Sequence, residues 1–189
     1  MIMSYNQDDI TQGKVLVADP FLLDPYFKRS VVLLVEHNEG GTLGFVINKA
    51  LEAQLQEAVS GFLYLDQCLY LGGPVNDNAL FYLHRIAEIE GSMLVKDGLF
   101  WGGDFEALKD YANTHAVDES EIRFFVGYAG WSPGQLAAEM KENSWIIEDI
   151  SIEEVMNTTD VKELWRERIK NMSAEYAIWA NFPDNPSLN

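Results

Sequence analysis

Val31-Val32-Leu33-Leu34-Val35, then Glu36-His37-Asn38-Glu39-Gly40-Gly41, then Thr42-Leu43-Gly44-Phe45-Val46-Ile47-Asn48 is the stretch that decides how this chain folds. Five consecutive apolar residues cannot alternate between core and water. The run therefore reads as a central strand covered on both faces. Asn38-Glu39-Gly40-Gly41 supplies residues that tolerate positive φ, and Thr42 to Asn48 resumes a strand pattern. Val31 to Asn48 is expected to be a β-hairpin.

Outward from the hairpin, Val15-Leu16-Val17-Ala18 predicts a strand stopped by Asp19-Pro20, and Asp24-Pro25 marks a second turn. Leu51, Leu55 and Val59 lie four apart, so Ala50 to Val59 reads as a helix. Strands are expected at Cys68 to Leu71, Leu80 to His84 and Ile122 to Tyr128. Asp104 is placed to cap a helix carrying Phe105, Leu108 and Tyr111 at helical spacing. Ser132-Pro133-Gly134-Gln135 reads as a capping box, with serine at N-cap, proline at N1 and glutamine at N3. Ser151-Ile152-Glu153-Glu154 repeats that logic. Asp160 opens a last long helix with Val161, Leu164, Trp165, Ile169 and Met172 as its apolar stripe. Strands come first in hairpins and helices sit between and after them, which is an α+β order. No repeat or flexible linker interrupts it, so residues 1–189 are expected to form one domain with a mobile tail from 181 to 189.

Thirty acids against thirteen bases give a net charge of -17. Binding DNA requires clustered lysine and arginine to neutralise phosphates, and the global field here repels nucleic acid and anionic membrane alike. The densest basic stretch, Lys162, Arg166, Arg168 and Lys170, is interleaved with Glu163 and Glu167 and reads as a solvated mixed-charge face. Cys68 is the only cysteine, so no internal disulfide forms. Its apolar surroundings suggest a buried, inert thiol. Met1 to Gly13 lacks the layout of a signal peptide, and no apolar run is long enough to span a bilayer. A cytoplasmic location is expected.

Gly130-Trp131-Ser132-Pro133-Gly134 matches the G-x-S-x-G pattern of a serine hydrolase, between a strand and a helix. Its chemistry fails. The oxyanion hole of that fold uses the N–H of the residue after serine, and Pro133 has none. Losing one such donor forfeits about 2.7–4 kcal/mol of transition-state stabilisation. His37, His84 and His115 all precede the serine, whereas the general base normally follows it. Ser132 is better read as a helix cap. The three histidines lack zinc-site spacing, and no common nucleotide loop is present. No cofactor or metal is expected.

Taken in order, several motifs resemble the YqgE/AlgH family of small bacterial proteins. They are Gly13-Lys14-Val15-Leu16-Val17-Ala18-Asp19-Pro20, Phe27-Lys28-Arg29-Ser30-Val31, Gly44-Phe45-Val46-Ile47-Asn48, Leu71-Gly72-Gly73-Pro74-Val75 and the stretch from Phe125 to Leu136, with Pro186-Ser187-Leu188-Asn189 at the end. The resemblance implies a compact α+β fold with a strongly bent, barrel-like, mostly antiparallel sheet surrounded by helices. Set against the family pattern, Ala50 to Phe62 and Ala87 to Leu94 depart from it and look like variable connections. The resemblance brings no established reaction, metal or cofactor. It does bring the label of transcriptional regulator, through a link to alginate production in one lineage. Asp19, Asn48, Gly73, Tyr128 and Trp131 match its motifs and are the candidate binding residues, or else determinants of the fold.

With no basic face, regulation is expected to be indirect. The leading expectation is a non-enzymatic binding protein acting through an unidentified protein partner, without direct contact to nucleic acid or membrane. The alternative is an enzyme or small-ligand binder with its site near Tyr128 and Trp131.

Overall fold

The structure, a computed structural model, describes residues 9–157 and 159–182. Of the tail expected to be mobile, only Asn181 and Phe182 fall among these; 183–189 lie outside the described residues.

The hairpin forms as its sequence dictates. Strand β2 runs Val31–Asn38 and β3 runs Gly41–Val46, paired antiparallel. Val31 to Val35 are all buried, because β1 (Val15–Ala18) covers the other edge of β2 and core packs on both faces. Strand β10 (Trp145–Glu148) then pairs with β1. On the other side, β3 pairs with β9 (Ile122–Trp131), which pairs with β6 (Val75–His84). The path ends in a hairpin of β7 (Met93–Lys96) and β8 (Leu99–Trp101), turned by Asp97 and Gly98 at positive φ. A branch leaves β9 through β5 (Cys68–Leu71), the one parallel neighbour, to β4 (Ala50–Gln54). The ten-stranded sheet is α+β in class, strongly curved and open rather than closed.

Much of the curvature originates in β9. Its first half is held between β5 and β6, while its second half pairs with β3. The change of partner falls around Gly127, at φ +70, where an added Cβ would lie 2.4 Å from the Gly73 carbonyl oxygen. Only glycine takes that conformation in that space. Side chains of β6 and β9 therefore pack on both faces. Leu83 and Phe125 enter a large core with β1, β2 and β3, and Tyr82, Ile122 and Phe124 enter a second core. Helix α2 (Phe105–Thr114) closes the second core with Leu108 and Ala112, and Asp104 caps it by accepting from the Ala107 N–H at 2.9 Å.

Four sequence expectations need correction. Ala50 to Val59 is not one helix but β4 followed by a single turn, α1 (Leu55–Ala58). Leu51, Ala53 and Leu55 also alternate with Glu52 and Gln54, and pairing with β5 selects that period over the helical one. Helix α3 (Gln135–Lys141) begins two residues later than the capping-box reading placed it. Gly134, at φ +77, is its N-cap, and the Ser132 hydroxyl caps nothing; the Gln135 side chain instead accepts from the Ser132 N–H at 3.0 Å. Ser151 does cap α4 (Ile152–Met156) through a full capping box. The last helix divides: a 3-10 turn (Val161–Glu163) leads into α5 (Leu164–Met172), and Ser173 caps a further helix, α6 (Ala174–Ala180). Ala87 to Leu94, read as a connection, reaches into β7.

Candidate functional site

The turn-forming segment from Asp19 to Ser30 joins β1 to β2, and three of the five candidate residues hold it in place. Asp19 accepts from the Phe21 N–H at 2.9 Å and from the Tyr176 hydroxyl at 3.4 Å. Partial burial raises its carboxyl above the usual carboxylate range, and those two hydrogen bonds pull the other way. Asp24 makes a second turn, accepting from the N–H groups of Tyr26 and Phe27. Asn48 is buried beneath the segment. Its amide donates to the Arg29 carbonyl at 2.9 Å and its oxygen accepts from the Val31 N–H at 2.8 Å. Trp131 is buried behind it, stacked on Phe27 and edge-on to Trp145. Both indole N–H groups donate to one oxygen of Glu139, at 2.9 and 2.7 Å.

The other two candidates lie elsewhere. Gly73 passes so close to β9 that an added Cβ would sit 2.2 Å from the Tyr128 carbonyl carbon. Tyr128 is half-buried, edge-on to Phe81. The five residues are thus distributed, three around the loop and two at the crossing of Gly72-Gly73 over β9.

The held loop turns apolar side chains outward. Phe21, Leu23 and Tyr26 are exposed, and Phe21 packs edge-on against Trp179 of α6 with ring centroids 4.6 Å apart. Trp179 stacks in turn on Phe182, and Ile178 beside it is 62% exposed. Next to this face lies a cleft between the loop and the start of α5, lined by Lys28, Arg29, Lys49, Lys162 and Arg166, with Asn48 in its wall. The basic stretch read as one solvated face is therefore divided. Lys162 and Arg166 border this cleft, whereas Arg168 turns away to pair with Glu148 at 3.1 Å and Glu154 at 2.6 Å.

Sequence reasoning missed Arg123, which is almost fully buried in β9. It donates to the Ile47 carbonyl at 2.8 Å and to the Val155 carbonyl, and its guanidinium carbon lies 4.0 Å from the Tyr70 ring centroid. A single arginine inside the apolar run Ile122-Arg123-Phe124-Phe125-Val126 was the signal for it. Glu139 gave no signal, because its two tryptophans meet it only in the fold. Cys68 is half-buried rather than buried. Among the described residues no group of histidine, cysteine, aspartate and glutamate is placed to hold a metal. No helix among them is long and apolar enough to cross a membrane.

The architecture defines an α+β protein built on an open curved sheet, and its relatives agree. Residues 15–177 match the family described as AlgH-like. A UPF0301 protein of Chlorobaculum tepidum is 46% identical over 178 residues, covering 94% of this chain and 95% of the relative. One of Bacteroides fragilis is 43% identical over 180 residues, covering 95% and 91%. Among solved structures, the AlgH protein of Pseudomonas aeruginosa is 25% identical with a TM-score of 0.70, covering 97% of this chain and 100% of that one. A Corynebacterium diphtheriae protein reaches a TM-score of 0.75 at 23% identity, covering 95% of each chain. This chain belongs to the AlgH-like family, whose function is unknown.

Proposed function

We propose that this is a non-enzymatic binding protein of the cytoplasm that acts through a protein partner, and that the partner docks on the face formed by the 19–30 loop and α6. One observation carries the reading. Of nine large hydrophobic side chains exposed among the described residues, five belong to this face: Phe21, Leu23, Tyr26, Ile178 and Phe182. Scattered surface hydrophobics need no explanation, but gathered ones mark contact sites. The loop that presents them is held by Asp19, Asn48 and Trp131, so the face is pre-shaped rather than ordered on binding. A charge of -17 argues against DNA as the target, so any regulatory output would run through the partner.

The alternative, a ligand site or catalytic centre near Tyr128 and Trp131, has less support. The Trp131 indole is buried and its N–H is committed to Glu139. Ser132, next to it, lacks the following N–H that an acyl-transfer site would need.

The test is site-specific photo-crosslinking in living cells, with the reactive group at position 23 or 178 and, as control, at the exposed Glu142 on the far end of α3. One protein should be captured from both face positions and not from 142. Capture that is absent, or equal from all three positions, would remove the docking face. A Leu23→Ser, Ile178→Ser double variant should abolish the crosslink while leaving the unfolding midpoint nearly unchanged, because both side chains are already in water.

A further inference from the structure

The loop between α1 and β5 is clamped at its base and apolar at its tip. Phe62 and Leu65 anchor it in the second core, with Phe62 edge-on to Phe105 of α2 and to Phe124 of β9. Asn113 of α2 grips the backbone: its amide donates to the Gly61 carbonyl at 2.7 Å, and its oxygen accepts from the Leu63 N–H at 2.8 Å. Gly61 takes φ +101 where an added Cβ would lie 3.0 Å from the Lys109 Cδ, so the turn is seated closely against α2. With Phe62 and Leu65 drawn inward, Leu63 and Tyr64 are held out in water, 67% and 80% exposed. No other aromatic side chain among the described residues is as exposed as Tyr64. Because the loop is already ordered, covering its tip costs little conformational entropy.

The rim around this tip carries one sign. Across α1, the loop and α2, residues 55–67 and 105–114 contain four carboxylates, Glu57, Asp66, Glu106 and Asp110, and a single cation, Lys109. Lys109 is paired with Glu106 at 2.6 Å, which leaves three carboxylates, all exposed. Glu57 accepts from the Gln54 N–H at 3.0 Å and Asp66 from the Gln56 N–H at 3.4 Å, bonds to neutral groups that orient a carboxylate and leave its charge standing. Asp66 follows Tyr64 by two residues. Asp110 lies one turn before the Asn113 clamp on α2.

We infer that this loop is a second docking surface, and that it takes a basic protein segment in which arginine or lysine flanks an apolar side chain. Charge complementarity selects that occupant: exposed carboxylates surround an apolar pair, so a partner must cover the pair and meet the rim with cations. An apolar side chain of the segment covers Leu63, a guanidinium lies on the face of the Tyr64 ring, and neighbouring cations meet Asp66 and Asp110. Nucleic acid and anionic membrane are repelled by the same rim. The inference does not rest on the reading of the 19–30 face, and either can fail while the other stands.

Fluorescence anisotropy of a labelled peptide of about ten alternating arginine and leucine residues, titrated with the full chain, tests it. Binding should saturate with a dissociation constant below about 100 μM in about 50 mM salt, and weaken at least about threefold in about 300 mM salt. The double variant Leu63→Ser, Tyr64→Ser should weaken it at least about tenfold although no charge changes. Both side chains are already in water, so the urea midpoint of that variant should stay close to the parent's. Asp110→Lys should weaken the peptide about fivefold, and Glu153→Lys, equally exposed but on α4, by less than about twofold. Leu23→Ser with Ile178→Ser should leave the constant unchanged, and a loss there instead of at 63 and 64 would overturn the assignment to this loop. No saturable binding up to about 1 mM protein would overturn the site. So would equal binding of a peptide alternating arginine with glycine, which would mark attraction by bulk charge alone. Sedimentation with phosphatidylcholine vesicles that depends on Leu63 and Tyr64 would overturn the protein occupant in favour of a lipid surface.

Discussion

Two polar side chains from neighbouring strands are both buried at the sheet, and they are handled in opposite ways. Arg123 of β9 pairs in register with Leu83 of β6, and His84 is the next residue along. The alternation of strand faces sends them to different cores. Arg123 enters the large core as a cation whose hydrogen bonds run to carbonyl oxygens, with its Nε unpartnered and aromatic rings of Tyr70 and Phe125 beside it. His84 enters the second core and is fully partnered. The Ile86 N–H donates to its Nδ1 at 3.3 Å, which leaves Nε2 to carry the proton, and Nε2 lies 3.0 Å from the Gly102 carbonyl. Burial lowers the pKa of both, and the Gly102 hydrogen bond works against the shift at His84. One core thus tolerates a charge by wrapping it in π-faces and carbonyls, while the other keeps its titratable group neutral.

The largest effect should come from removing the cation. Arg123→Ala leaves a cavity and strands the Ile47 and Val155 carbonyls, at an expected cost of about 3–5 kcal/mol in urea unfolding. Arg123→Met refills the volume but not the hydrogen bonds, so it should cost about 1–3 kcal/mol. Because Ile47 precedes Asn48, the Met variant should also loosen the 19–30 loop, seen as faster amide exchange at Val31. A Met variant as stable as the parent would show that the charge is dispensable and that the two cores do not differ in kind.

His84 should give a smaller, pH-dependent effect with a definite sign. Its folded-state pKa lies below its unfolded value of about 6.5, so the unfolded chain takes up the proton first as pH falls. Stability from neutral His84 is complete above about pH 6.5 and is lost on acidification, at no more than about 1.4 kcal/mol per pH unit for one proton. His84→Gln, which keeps a donor for Gly102, should flatten the slope between pH 7 and 5 relative to the parent. An unchanged slope would mean that His84 takes up its proton at the same pH folded as unfolded, and a steeper one that it is charged in the fold, against the Ile86 N–H that faces its Nδ1.

How much of this was legible follows the physics of each signal. Val31 to Val35 had no polar escape, and the strand it implied is there with every residue buried. Asp104 and Ser151 cap as their side-chain chemistry requires. Ser132 has the same chemistry and does not cap, because Gly134 two residues on adopts positive φ and starts the helix itself. The pattern for helix at Ala50 to Val59 also contained a strand pattern, and a long-range partner decided between them. Asp97-Gly98, which lies beyond Ala87 to Leu94, carries a hairpin-turn signal that the strand reading left out. The basic cleft was not readable at all: Lys28, Lys49 and Lys162 are far apart in sequence and meet only after β1 to β3 and α5 have packed.

The smallest expected effect is the most discriminating. The Tyr70 hydroxyl is buried without a hydrogen-bond partner, and burial pushes its pKa up to about 12 although the Arg123 charge opposes the shift. What stabilises Arg123 is then the face of the Tyr70 ring, 4.0 Å away, rather than the phenol oxygen. Phenylalanine keeps that face and removes a group that lost its water on folding. Tyr70→Phe should therefore leave stability unchanged or raise it by up to about 1 kcal/mol, and it should not increase the cost of Arg123→Met when the two are combined. Leucine at position 70 removes the π-face and should couple strongly to Arg123 in the same double-mutant cycle. A loss above about 1 kcal/mol in Tyr70→Phe would mean that the hydroxyl is bonded within the core. The large core would then accommodate its buried polar groups by hydrogen bonding, as the second core does at His84, and the contrast between the two would reduce to the charge alone.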